Sequence, residues 1–307
     1  MNHDCEQMRS RRTFLGAAAA AVGAGLLSAR NVVLAAENPA SKFRYKIGVC
    51  DWMILKRQKL GAFKWTKDIG ADGVEVDMGS LGQRETFENQ LADPAVRKQF
   101  LDTARDTGLE ICSLAMSGFY AQSFAERPTV PRMVQDCIDT MVAMQVKVAF
   151  LPLGVLGDLV KRPELRPAVV ERLQVIGPKA EAAGVAIGLE TALDAAGEVE
   201  LLAEIGSPAI RSYFNFANAL QNGRDLISEL RTLGRDRICQ IHCTDEDGIL
   251  LQDNQRLDMP KVKSTLDDMD WSGWLVIERS RAARDARNVL KNFGANAAYL
   301  KSIFQAG

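Results

Sequence analysis

The chain is poor in histidine: its 307 residues include two, His3 and His242. Multi-zinc centres built from several imidazoles are therefore excluded. A surplus charge of one sign is also missing. Lys and Arg total 38, Asp and Glu total 39, and the formal net charge is −1. Nothing in that balance draws in a phosphate backbone or an anionic bilayer, so nucleic acid is not an expected partner. Glycine-rich cofactor loops are absent as well. The first predicted strand ends Gly48-Val49-Cys50-Asp51-Trp52 with no G-x-G-x-x-G run, which argues against a dinucleotide-binding doubly wound sheet. No G-x-S-x-G occurs in the chain, so a hydrolase built on a serine nucleophile elbow has no support.

What is present is the composition of a globular protein, 47% hydrophobic and 25% charged. That rules out wholesale disorder and collagen, and a chain of this length buries a large core without staples. Six cysteines are present, but Cys5 lies in the N-terminal segment described next. The other five are Cys50, Cys112, Cys137, Cys239 and Cys243. An odd number, mostly inside apolar runs, reads as small core residues and not as a disulfide framework.

The first 36 residues read as an address. Ser10-Arg11-Arg12-Thr13-Phe14-Leu15 is a twin-arginine pattern, an Ala/Val/Gly/Leu stretch follows to Leu27, and Leu34-Ala35-Ala36-Glu37 offers a small-residue cleavage site. Charged, apolar and small segments in that order make an export signal. The apolar part is about 15 residues, short for a membrane span, and no cysteine follows it to take a lipid. The expected organisation is a twin-arginine signal peptide over 1–36 and one domain over 37–307. The mature protein is expected outside the cytoplasm, periplasmic or extracytoplasmic, with no stable membrane span.

From Tyr45 onward, short β-rich apolar runs alternate with longer amphipathic stretches. Strands are predicted over 46–50, 73–77, 110–114, 148–153, 186–190, 211–215, 238–242 and 275–278. Several lack polar interruptions, which is how a strand buried on both faces of a parallel sheet reads. Helices are predicted over 60–69, 94–107, 131–144, 163–183, 196–205, 225–233, 260–269 and 285–303. Pro94, Pro131 and Pro163 stand at helix starts, and Gly108 and Gly184 just past helix ends, as helix termini prefer. Eight strand-helix pairs in about 260 residues predict an α/β fold, a single-domain (β/α)8 TIM barrel.

Active sites of such barrels sit at the C-terminal strand ends. Strand five ends in Glu190, strand six in Asn215, strand seven in His242 and strand eight in Glu278. Side chains alternate along a strand, so Glu190 shares its side with Gly188 and Glu278 with Val276. Two carboxylates, an imidazole and an amide oxygen on one rim make a shell for one divalent ion, with Mn, Mg, Co or Zn the suitable metals.

The succession Ile187-Gly188-Leu189-Glu190, Tyr213-Phe214-Asn215-Phe216-Ala217-Asn218, Ile241-His242-Cys243-Thr244-Asp245 and Gly273-Trp274-Leu275-Val276-Ile277-Glu278 resembles the xylose isomerase-like TIM barrels, the sugar phosphate isomerases and epimerases. Gly73-Val74-Glu75 and Gln255-Arg256-Leu257-Asp258 are similar to segments of that family too. The resemblance runs from about Tyr45 to the C-terminus. It implies a Glu, Asp, His, Glu cation site, here Glu190, Asn215, His242 and Glu278. Asn215 departs from the family's Asp. Its carbonyl oxygen can ligate but brings no charge, so weaker metal binding, a more Lewis-acidic metal or a lost site is expected. Thr244 stands where the family frequently has Lys. The zinc endonucleases that share this barrel need many more histidines than this chain has.

The chemistry implied is isomerisation or epimerisation of a sugar by proton transfer next to a carbonyl, through an enediolate. A cation polarises the carbonyl and a carboxylate moves the proton. By the resemblance, Glu190 and Glu278 are the acid/base pair. The same apparatus serves two alternatives, a keto-glycoside lyase and a non-catalytic sugar-binding or partner barrel. Substrate contacts are expected from Trp52, Glu75, Asn218 and Arg256, with Asp77, Phe119 and Tyr120 as weaker candidates. Asn218 and Asp245 are placed to steady metal ligands from behind. Arg256 pairs either with a substrate anion or with Asp258. Arg279, Arg281 and Arg284 read as a solvated helix start, or otherwise as a holder for a carboxylate or phosphate. A small carbohydrate is the expected partner, and a homo-oligomer is compatible with the sequence, although no interface signature marks one.

Overall fold

The computed structural model describes residues 43–306; the expected signal peptide over 1–36 lies outside the described residues. Eight parallel strands close into a barrel in chain order. They are β1 (Tyr45–Cys50), β2 (Gly73–Asp77), β3 (Glu110–Ala115), β4 (Val148–Pro152), β5 (Ala186–Glu190), β6 (Ile210–Asn215), β7 (Ile238–His242) and β8 (Gly273–Ile277). Closure is made by β1 on β8, from Tyr45 opposite Gly273 to Val49 opposite Ile277. Each predicted strand is present within two residues at either end. Glu278 falls one residue beyond β8.

The helices are α1 (Gly61–Ile69), α2 (Pro94–Thr107), α3 (Val130–Met144), α4 (Arg166–Ala183), α5 (Ala195–Ile205), α6 (Phe216–Gln221), α7 (Leu226–Leu233), α8 (Met259–Asp268) and α9 (Val289–Phe304). Their starts are set by short polar side chains. Asp93, Asp194, Asp225, Asp258 and Asn288 each accept a hydrogen bond from a first-turn N–H, and such caps contribute about 1 kcal/mol apiece. Short α6 has no counterpart among the eight predicted helices. It opens directly after β6, with Asn215 as its cap. The predicted start of the last helix at 285 is a separate turn over Ala283–Asp285, and α9 begins at Val289.

One large apolar layer fills the space between strands and helices, including Val49, Val76, Leu114, Leu151, Leu189, Ile241 and Ile277 from the outward strand faces. Inside the barrel the packing is different. Two small clusters, one around Cys50, Cys112 and Val276 and one around Ala115, Phe150 and Tyr213, flank a polar centre.

Two bulges create that centre. On β3, Val74 faces Ile111 but Glu75 faces Ser113, so Cys112 is the extra residue. On β7, Ser212 faces Ile238 but Tyr213 faces Gln240, so Cys239 is extra. An extra residue re-phases everything beyond it. Ile111 and Ile238 therefore pack outward with the helices, while Ser113 and Gln240 turn inward to hydrogen-bond each other at 2.8 Å. Beyond Gln240, the period of two carries His242 inward as well.

Candidate active site

The four strand-end residues converge. Asn215 Nδ2 lies 2.8 Å from Glu190 Oε2 and 3.2 Å from Glu278 Oε2. His242 Nδ1 lies 3.4 Å from Glu190 Oε2 and 4.0 Å from Glu278 Oε2. All four are shielded, with 6%, 3%, 0% and 2% exposure for Glu190, Asn215, His242 and Glu278. The expectation that these residues share one rim rested on strand counting, and the fold brings them within contact distance.

His242 is held from below. Its Nε2 is 3.0 Å from Glu75 Oε2, while the rings of Phe150 and Tyr213 each lie 4.6 Å from its centroid. Burial opposes a charge on the imidazole. The carboxylates of Glu75, Glu190 and Glu278 override it and push its pKa up to about 10. Both ring nitrogens thus face carboxylates, Nε2 toward Glu75 and Nδ1 toward Glu190.

Glu75, expected at a sugar hydroxyl, is fully buried beneath the site instead. Its oxygens accept from Ser113 Oγ and Tyr213 Oη at 3.0 Å each, from Cys50 Sγ at 3.3 Å, and from His242. The bulge at Cys112 is what brings Ser113 to it. Cys50, Glu75 and His242 are spaced closely enough to hold a metal ion, although this carboxylate already takes four hydrogen bonds.

Tyr120 is the residue that sequence reasoning undervalued. In the sequence it is only a weaker candidate for a substrate contact. In the fold its hydroxyl lies 3.0 Å from Glu278 Oε1 and 3.3 Å from Glu190 Oε1, bridging the two carboxylates. Burial first, then the two glutamate charges, push its pKa well above the ordinary tyrosine value. Nothing in its local sequence signals this, because the bridge spans 158 positions to Glu278. Arg279 is also drawn in. Its Nη2 is 3.4 Å from Glu278 Oε1, and Glu278 raises its pKa. It does not belong to a solvated helix start. Burial works against the Glu278 charge, yet His242 and Arg279 hold its pKa below the usual value.

Trp52 stands at the same mouth, stacked on Phe150 at 6.3 Å and edge-on to His242 at 6.5 Å. Phe119 is packed in the core against Phe87 and Phe124, closed to any sugar. Asp77 is also buried, receiving the Gly79 N–H and pairing with Arg57. Asn218 donates to the Thr191 carbonyl at 2.9 Å, which ties the segment after β5. Asp245 and Arg256, expected in separate roles, are bound to each other. Arg256 Nη2 is 2.6 Å from Asp245 Oδ2, with Glu246 at 3.0 Å. Asp258, the alternative partner of Arg256, caps α8. Asp245 accepts hydrogen bonds from Asn254 and Arg256, so it anchors the loop after β7.

The donor set suits a divalent cation. Glu190, Glu278 and His242 Nδ1 line one space with two hard carboxylates and one imidazole, and Glu75 orients the imidazole from its far nitrogen. Asn215 differs. Its Oδ1 accepts the Ala217 N–H at 2.9 Å, so its amide nitrogen faces the carboxylates.

Comparison with known proteins agrees with this architecture. Residues 63–303 match the family described as Xylose isomerase-like TIM barrel. The 2-epi-5-epi-valiolone 7-phosphate 2-epimerase of Actinoplanes sp. is 26% identical over 208 residues, 65% of this chain and 72% of that one. D-Psicose 3-epimerase from Clostridium cellulolyticum H10 superposes with a TM-score of 0.67 at 12% identity, covering 84% of this chain and 99% of that one. The 3-keto-D-glucoside 4-epimerase of E. coli gives 0.65 at 16% identity, covering 84% and 99%. At such identities the two superpositions speak for the fold alone. The family match spans most of the barrel, from α1 into α9, and the chain belongs to the xylose isomerase-like TIM barrel family.

Proposed function

We propose that this protein is a divalent-metal-dependent carbohydrate isomerase or epimerase that moves a proton next to a carbonyl. The observation that carries the reading is the pair Glu190 and Glu278, buried, bridged by the Tyr120 hydroxyl and converging with His242. Glu190, Glu278 and His242 Nδ1 would hold the cation, which would supply Lewis-acid polarisation of a substrate carbonyl. One glutamate removes the proton from the neighbouring carbon and the other returns one, on the opposite face for epimerisation. Tyr120 donates to whichever carboxylate is charged, so the pair shares one hydroxyl proton donor through the exchange. Trp52, stacked over the buried Phe150, gives the mouth an apolar surface on which a sugar ring stacks. The family membership and the sugar chemistry named for the epimerases above support the choice of a sugar.

The test is exchange of solvent deuterium into ketoses and 3-keto-glycosides by the metal-loaded protein. Incorporation beside the carbonyl, lost in Glu190→Gln and Glu278→Gln with the fold intact, is the expected result. Release of a free alcohol from a keto-glycoside without an epimer would replace the reading by elimination. No exchange with any sugar would leave a binding barrel. We further propose export by the twin-arginine route. Mass analysis of the N-terminus of protein from the periplasmic fraction checks it, with Glu37 expected first.

A further inference from the structure

The side-chain amide of Asn215 has one acceptor atom and one donor group, and the fold assigns each of them. Ala217 N–H is one of the first amides of α6, which have no partner within their own helix. The atom 2.9 Å from it must be an acceptor, so it is Oδ1. The opposite end of the amide then carries the NH2, 2.8 Å from Glu190 Oε2 and 3.2 Å from Glu278 Oε2. Both of those oxygens are acceptors. A half-turn of the amide would set NH2 against N–H, and a carbonyl oxygen against two carboxylates. Three neighbours therefore lock one orientation.

We propose that Asn215 is a hydrogen-bond donor standing in the corner of the site where a fourth oxygen would face the cation, so that it opposes metal binding instead of contributing to it. An aspartate on the same backbone would cap α6 with one oxygen and present the other to the ion. Asparagine keeps the cap and replaces the presented oxygen with a nitrogen that has no free lone pair. Tyr120 and Arg279 also donate to the pair, so hydrogen-bond donors already meet the carboxylate oxygens that a cation would take. A cation must displace the Asn215 bond to both carboxylates before it is bound. The site is thus built for loose, exchangeable occupancy. This inference rests on the cation reading of the site under Proposed function, but its test does not depend on which sugar, if any, is turned over.

The experiment is a Mn2+ titration of metal-stripped protein, followed by the electron paramagnetic resonance signal of the free ion. Wild type is compared with Asn215→Asp and Asn215→Ser. Both replacements are good helix caps, and circular dichroism with a thermal melt confirms that each variant is folded. Asn215→Asp should bind at least tenfold more tightly than wild type. Asn215→Ser keeps the cap, is too short to reach the carboxylates, and should bind no more weakly than wild type. The serine variant decides between the two roles. If it binds at least tenfold more weakly, Asn215 is an oxygen ligand and the proposal fails. It fails equally if the aspartate variant is no tighter than wild type, including the case in which no variant binds Mn2+.

Discussion

Glu75 Oε2 lies 3.0 Å from His242 Nε2, and solvent reaches neither side chain. The contact joins the inside of β2 to the inside of β7, 167 positions away, and leaves Nδ1 as the imidazole atom that faces the two rim glutamates. Carboxylates that orient a ligating imidazole in this way are worth about 10–100-fold in metal affinity. Glu75→Gln keeps the volume but puts an NH2 among four donors. It is expected to weaken Mn2+ binding within that range and to cost about 3–5 kcal/mol of stability as a broken buried pair. Urea unfolding and metal titration measure the two effects separately. Lost stability with unchanged metal affinity would show that Glu75 serves the fold and does not orient His242.

Tyr120 touches both proposed acid/base carboxylates through one oxygen. Tyr120→Phe leaves the ring against Phe150 and deletes that oxygen. If the hydroxyl steadies proton transfer, kcat for deuterium exchange falls about 100-fold, the low end of what positioned proton-transfer groups contribute. KM should change little, because an interaction that matters only in the transition state is lost from kcat. A rise in KM at constant kcat would make Tyr120 a substrate contact instead.

The sequence was a good guide to the frame and a partial guide to the site. Strand ends at Glu190, Asn215, His242 and Glu278 were legible because each closes a short apolar run, and strand position in a barrel converts directly into position on the rim. Glu75 was misjudged for a physical reason. A charged residue near a strand end reads as rim, and only the bulge at Cys112, which lines Ser113 up with it, makes a buried place for the charge. Bulges leave no periodic signal in a strand as short as β3, which has six residues. Tyr120 and Arg279 lie outside the strands, where alternation says nothing about direction. The pairing of Arg256 with Asp245 depends on how the loop after β7 folds back, which no local pattern encodes.

Glu198 on α5 gives a pH signature of the fold that is separate from the reaction. Burial raises its pKa from 4.5 to about 7, against the neighbouring hydroxyls of Ser212 and Thr191, which lower it. Its Oε2 accepts from Thr191 at 3.0 Å, and its Oε1 has no partner. A carboxyl whose folded pKa is raised holds its proton more tightly in the native state. Its contribution to stability is therefore full below about pH 4.5 and is lost as pH climbs to about 7. Above that the native state carries an unfavourable buried charge, amounting to about 3 kcal/mol at most. Glu198→Gln removes the titration. Between pH 5 and 8 the melting temperature of the variant should fall less than that of wild type, with the variant the more stable at pH 8. Parallel curves would mean that Glu198 does not titrate in this range.

Gly188 stands on the inward face of β5, two residues before Glu190, where the barrel has no room for a methyl group. A Cβ there would sit 2.7 Å from Cys239 Sγ and 2.9 Å from Tyr213 Cβ. The first neighbour is the bulged residue of β7, and the second carries the hydroxyl that donates to Glu75. Gly188→Ala therefore pushes on both strands that hold the polar centre in register. Overpacking of this kind costs about 1–3 kcal/mol, here offset only slightly by the reduced freedom of the unfolded chain. Adding Cys239→Ala removes the sulfur but leaves the Tyr213 Cβ, which no substitution short of glycine removes. Denaturant unfolding of the double variant should thus recover only part of the loss. Full recovery would place the whole clash on the sulfur, and an unperturbed single variant would show that β5 can move outward without cost.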